Sequence, residues 1–112
     1  MAYDEQLADR IRTCFDGVRN ASEKKMFGGL CFLVGGNMAC GVTSKGPMMV
    51  RVGPGAYEDA LTFPYARPMD FTGKPIKGMV YVDLEGIRRD SDLREWVACG
   101  IAFAQSLPVK KG

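Results

Sequence analysis

The chain contains no histidine. That absence excludes Ser-His-Asp and Cys-His nucleophilic machinery and the HExxH zinc sites. It also removes the side chain best suited to general acid–base work near neutral pH. No apolar run approaches the roughly 18 residues needed to cross a bilayer, and no charged-then-apolar leader follows Met1, so neither membrane association nor export is expected. No G-x-x-x-x-G-K-[ST] segment occurs and no G-x-G-x-x-G links a strand to a helix, which excludes a nucleotide loop of either kind. Repeats, internal linkers and low-complexity segments are lacking too. Net charge is only +2, and the basic doublets, Lys24-Lys25, Arg88-Arg89 and Lys110-Lys111, are scattered. Direct binding of nucleic acid draws its affinity from dense phosphate neutralisation, so these doublets read as solvated surface charge. None of the four cysteines, Cys14, Cys31, Cys40 and Cys99, forms a C-x-x-C pair. Zinc ribbons and thioredoxin-type dithiols are thereby excluded. Their apolar neighbours point to buried thiols in a reducing compartment. Catalysis, a metal and a cofactor are therefore not expected, and the expected location is the cytoplasm.

What is present fits one globular domain. The 112 residues are 46% hydrophobic and 25% charged, enough to bury a core without staples. The domain is expected over residues 1–108, with a frayed tail at 109–112. Asp4 is placed to cap a first helix, with Tyr3 as a hydrophobic staple and Leu7, Ala8, Ile11, Cys14 and Phe15 on one stripe. Met26 to Val34 reads as a strand interrupted by Gly28-Gly29, where a bulge or a close backbone approach is expected. Gly35-Gly36-Asn37 turns it into a strand over Met38 to Thr43, and Met48 to Val52 completes a meander. Gly53-Pro54-Gly55 opens a short helix that Pro64 stops. Strands follow over Arg67 to Phe71 and Ile76 to Asp83, joined by Thr72-Gly73-Lys74-Pro75. A last helix begins among Asp90, Ser91 and Asp92, with Asp92 and Glu95 resembling a capping box. Its buried face is Leu93, Trp96, Val97, Gly100, Ile101 and Ala104, and mid-helix Gly100 implies close packing on the sheet. The pattern α-βββ-α-ββ-α predicts an α+β fold of two layers, a mainly antiparallel five-stranded sheet with helices packed on it.

Three sets of residues invite a functional reading. If Gly35-Gly36 takes the two central turn positions, counting outward sets Cys31 directly opposite Cys40, a candidate redox pair, against the plainer reading of two small thiols packed in a core. Met79 and Tyr81 lie on the strand face opposite Val80 and Val82. A two-layer fold would leave that face uncovered, so they are the candidate interface. Arg51, Arg67, Asp70, Lys74 and Lys77 form a candidate polar or anion site, against the plainer reading in which Asp70 serves the following turn.

Read together, KMFGGLCF at 25–32, NMACGV at 37–42, MVRVGP at 49–54, RPMDFTGKPIKGMVYV at 67–82 and WVACGIAFAQSLP at 96–108 resemble the TfoX/Sxy N-terminal domain family. That family is named for bacterial regulators of natural competence. The resemblance implies a secretion-chaperone-like two-layer α+β fold and a regulatory or partner-binding role rather than catalysis. Full-length regulators of this kind carry a second, helical C-terminal domain, so the chain is expected to be the N-terminal domain standing alone. Three classes follow: a non-catalytic cytoplasmic protein-interaction or regulatory module that self-associates as a homodimer; a DNA-associated transcription regulator; and a small-molecule-binding protein or enzyme with a pocket around Arg51 and Asp70.

Overall fold

A computed structural model describes residues 3–26, 28–44, 47–69 and 77–109. Asp4 caps the first helix, α1 (Glu5–Cys14), accepting hydrogen bonds from the backbone N–H groups of Gln6 and Leu7 at 3.0 and 3.1 Å. Leu7, Ala8 and Ile11 bury its inner stripe. Six strands follow: β1 (Ala21–Met26), β2 (Gly29–Val34), β3 (Asn37–Val42), β4 (Met48–Arg51), β5 (Ala66–Pro68) and β6 (Met79–Val82). Helix α2 (Tyr57–Leu61) lies between β4 and β5, and α3 (Asp90–Gln105) closes the fold. The strands form one sheet in the order β1-β2-β3-β4-β6-β5, and every pairing is antiparallel. The α+β class is as expected, with six strands among the described residues rather than five.

The additional strand is β1. Its sequence, ASEKKM, has no apolar alternation, and the side chains of Ala21 to Lys25 are all exposed. It joins the sheet through its backbone ladder to β2, which leaves no periodic trace in the sequence. Its charged side chains suit an edge, where they discourage pairing with another chain. Between β2 and β3, Gly35 and Gly36 at φ 59° and 82° make the tight turn that the sequence implies.

Helices α1 and α3 cover one face of the sheet. Leu7, Ile11, Leu93 and Val97 pack there against Phe32, Val50, Val80 and Val82. Gly100 sets how closely α3 approaches, because a Cβ at that position would stand 2.3 Å from the Ala39 carbonyl oxygen. The expected capping box does not form. Asp90 is already the first helical residue, and the preceding Arg89 makes no side-chain cap. Trp96 and Ile101 are half-buried at the flank of α3, whereas Leu93, Val97, Gly100 and Ala104 form its buried stripe. Among the described residues no helix is long and apolar enough to cross a membrane.

Candidate functional site

The pairings place the sequence-predicted residues. A bulge between Phe32 and Leu33 shifts the β2–β3 register after Leu33↔Met38, so Phe32 faces Cys40 and Cys31 faces Gly41. Ala39 is the extra residue, and it joins Cys40 on the helix-covered face. Cys31 belongs to a separate cluster on the other face with Met49 and Met69. The register that would set Cys31 opposite Cys40 is therefore not adopted, and all four cysteines are free thiols. Counting outward from the turn missed this because one inserted residue carries every following side chain to the opposite face.

Met79 and Tyr81 do lie opposite Val80 and Val82, on that second face, where both are half-buried. A cross-strand row runs Cys31–Gly41–Met49–Tyr81–Arg67 over five strands. Gly41 has no side chain, and the Met49 methyl occupies its place, 2.9 Å from where a Cβ would be. At the far end the Arg67 guanidinium lies 5.1 Å over the Tyr81 ring and pairs with Asp83 at 3.0 Å. Arg51 is directed elsewhere, 5.2 Å over the Phe103 ring. Lys77 is exposed at the turn before β6, while Asp70 and Lys74 lie outside the described residues. Among the described contacts, Arg51 lies over Phe103, and Arg67 lies over Tyr81 and pairs with Asp83.

A different constellation stands out. Helix α2 ends in a turn in which Thr62 Oγ1 donates to the Asp59 carbonyl at 2.6 Å and the Phe63 N–H to the Ala60 carbonyl at 3.2 Å. Pro64 follows, and Tyr65 takes a left-handed backbone at φ 70°, a costly conformation for a bulky residue. The Asp83 N–H donates to the Tyr65 carbonyl at 2.9 Å and holds it there. Gly86, in the 3-10 turn Leu84–Ile87, makes room for Tyr65, since a Cβ on it would meet the Tyr65 Cβ at 2.9 Å. The turn brings Phe63 into a T-shaped contact with Trp96, with ring centroids 5.5 Å apart at 68°. On α3, Asp92, Glu95, Trp96 and Cys99 follow one another at helical spacing and share a stripe beside the buried one.

Together these segments enclose a groove of about 420 Å³. Ala56, Ala60, Phe63, Pro64, Tyr65 and Trp96 give it apolar walls, and four acidic residues, Asp59, Glu85, Asp92 and Glu95, complete the lining. Phe63 is 53% and Tyr65 52% exposed. With Leu84, beside Glu85, they are three of the four exposed large apolar side chains among the described residues. The remaining reactive group in the lining is Cys99, whose thiol is pushed up by burial, as are those of Cys14, Cys31 and Cys40. Desolvation disfavours the thiolate, which is the nucleophilic form. Sequence reasoning missed the groove because its walls come from segments some thirty residues apart. The available signals were Phe63-Pro64-Tyr65, two aromatic residues around a helix stop, and the acidic neighbours of Trp96.

An antiparallel sheet with helices packed on one face and an aromatic groove at its flank defines a small α+β domain. The chain belongs to the TfoX N-terminal domain family, whose model matches residues 13–104. That span runs from the end of α1 nearly to the end of α3, taking in the whole sheet and the groove. No curated protein and no solved structure matches the chain.

Proposed function

We propose that this domain is a non-catalytic regulatory module that works by binding a protein partner, and that the groove between α2 and α3 is part of its contact surface. The observation that carries this reading is the concentration of exposed aromatic side chains, Phe63 and Tyr65, around a concave site edged by Trp96. Exposed apolar surface gathered in one place marks an interaction site, and aromatic residues are the usual anchors of such contacts. A backbone held at positive φ to present Tyr65 fits a functional position better than a merely structural one. Burial raises the Cys99 thiol and disfavours the thiolate that a nucleophile would need. Four free thiols fit a reducing, cytoplasmic setting. Family membership favours a role like that of competence regulators. Self-association as a homodimer belongs to the same reading, with a second copy as one partner.

The test is affinity capture from native lysate with wild-type protein and a Phe63→Ser variant, each complex sized by light scattering. The expected result is a partner or second copy retained by the wild type and lost from the variant. A wild-type monomer that retains nothing, or retention unaffected by Phe63→Ser, contradicts the proposal. One observation favours a second reading: the groove volume lies within the small-molecule range. Thermal stabilisation by a metabolite panel, lost in Phe63→Ser, would support that reading, and a flat response would remove it. Four carboxylates at the groove argue against DNA contact there, since like charge repels phosphates.

A further inference from the structure

Asp59, Glu85, Asp92 and Glu95 come from three separate segments, α2, the 3-10 turn and α3, and converge on one groove. No lysine or arginine stands among the described lining residues. None of the four carboxylates takes part in an ion pair or side-chain hydrogen bond within the described structure, although Arg10, Arg12 and Arg67 all find carboxylates elsewhere. The chain is basic overall, at +2, so this concentration of negative charge runs against its balance. Carboxylates that make no ion pair among the described residues, beside apolar walls, favour a cation in the concavity.

We infer that the groove receives an arginine-bearing, otherwise apolar segment of a partner protein. This rests on the protein-binding reading above and specifies the chemistry of the partner. The aromatic walls and the carboxylates ask different things of an occupant, and a guanidinium meets both. Its planar face stacks on an aromatic ring, and its edge pairs with a carboxylate in a two-pronged hydrogen bond. A lysine ammonium offers a point charge without the flat surface. Apolar neighbours of the arginine cover Phe63, Pro64 and Ala60, which the charge alone would leave wet. A partner cation also need not break an existing ion pair before it binds.

Trp96 is the single tryptophan of the chain and lines the groove, so its emission reports occupancy directly. The experiment titrates the full chain with a capped peptide, Leu-Arg-Leu-Arg-Leu, and with a twin in which neutral citrulline replaces both arginines. The expected result is a saturable change in Trp96 emission. Binding weakens about tenfold for the citrulline peptide and roughly fivefold for an Asp92→Asn, Glu95→Gln double variant. Raised salt also weakens it. Both substituted side chains are exposed, so an unchanged thermal midpoint shows that the double variant is folded. Equal binding of the two peptides, or no loss in the double variant, overturns the inference. Methylguanidinium binding as tightly as the peptide also overturns it, in favour of a small cationic ligand. If the arginine peptide fails while Phe63→Ser still abolishes partner capture, the arginine assignment falls and the protein-binding reading stands. Failure of both removes both.

Discussion

The second face of the sheet and the groove beside α3 are both apolar regions outside the helix-covered core, yet they are filled differently. On the sheet face Cys31, Met49 and Met69 are buried, Met49 occupies the gap above Gly41, and Arg67 lies over Tyr81. In the groove Phe63 and Tyr65 remain more than half exposed, and four carboxylates surround apolar walls without counter-ions among the described residues. Alternation along a strand tells which residues share a face. It does not tell whether the face is satisfied from within. Flexible methionine side chains close irregular gaps, whereas aromatics on a turn held at positive φ stay where the backbone puts them.

Truncation should separate the two regions most sharply. Met49→Ala removes a buried side chain and is expected to cost about 3 kcal/mol by chemical denaturation. A cost below about 1 kcal/mol would mean that this face is loosely filled and open to a partner. Gly100→Ala tests the helix-covered face, the reference for close packing. Helix propensity alone predicts a gain of about 1 kcal/mol, but contact with the Ala39 carbonyl predicts a net loss of about 2 kcal/mol. A more stable variant would contradict the packing described. Phe63→Ser should cost about 1 kcal/mol or less, because the ring is more than half exposed and meets Trp96 in a T-shaped contact.

Two smaller effects sharpen the comparison. Cys99 lines the groove and is half-buried, whereas Cys31 sits on the second face with no exposure. Alkylation of native protein followed by mass spectrometry should label Cys99 about tenfold faster or more, with Cys31 and Cys40 protected until unfolding. Equal rates would place the two regions on the same footing. The smallest effect lies away from both. Glu23 of β1 is held below the usual carboxylate range by its hydrogen bonds from Arg12, one of them at 2.8 Å. A lowered folded-state value means that this contribution is present above the unfolded carboxylate value and fades as pH falls through the folded one. Glu23→Gln should flatten that part of the stability–pH profile and leave both apolar regions unaltered. The pair is exposed, so the change is small.

The sequence announced those elements whose patterning is local. Asp4 as a cap and the Gly35-Gly36 turn are each set by a few neighbouring residues, and a lone glycine in an apolar helix stripe marks the close approach of α3 at Gly100; the structure contains all three. β1 was not legible, because a strand of exposed polar side chains joins the sheet through backbone groups alone. The Ala39 bulge was not legible either, since β3 alternates acceptably with or without it, and the Cys31–Cys40 geometry depended on it. The groove needed tertiary structure, because Trp96 reads as one more member of an apolar helix stripe until Phe63 is seen against it. Its acidic side chains lie on three segments that only the fold brings together.

Hydroxyl-radical footprinting of the full chain, with and without the arginine peptide, tests the central claim most directly. Methionine and aromatic side chains are readily oxidised, so one experiment reads both regions. Protection of Phe63, Tyr65 and Trp96 with Met79 and Tyr81 unchanged is the expected result. Protection of Met79 and Tyr81 with the groove unchanged would contradict the account and move the contact surface to the sheet.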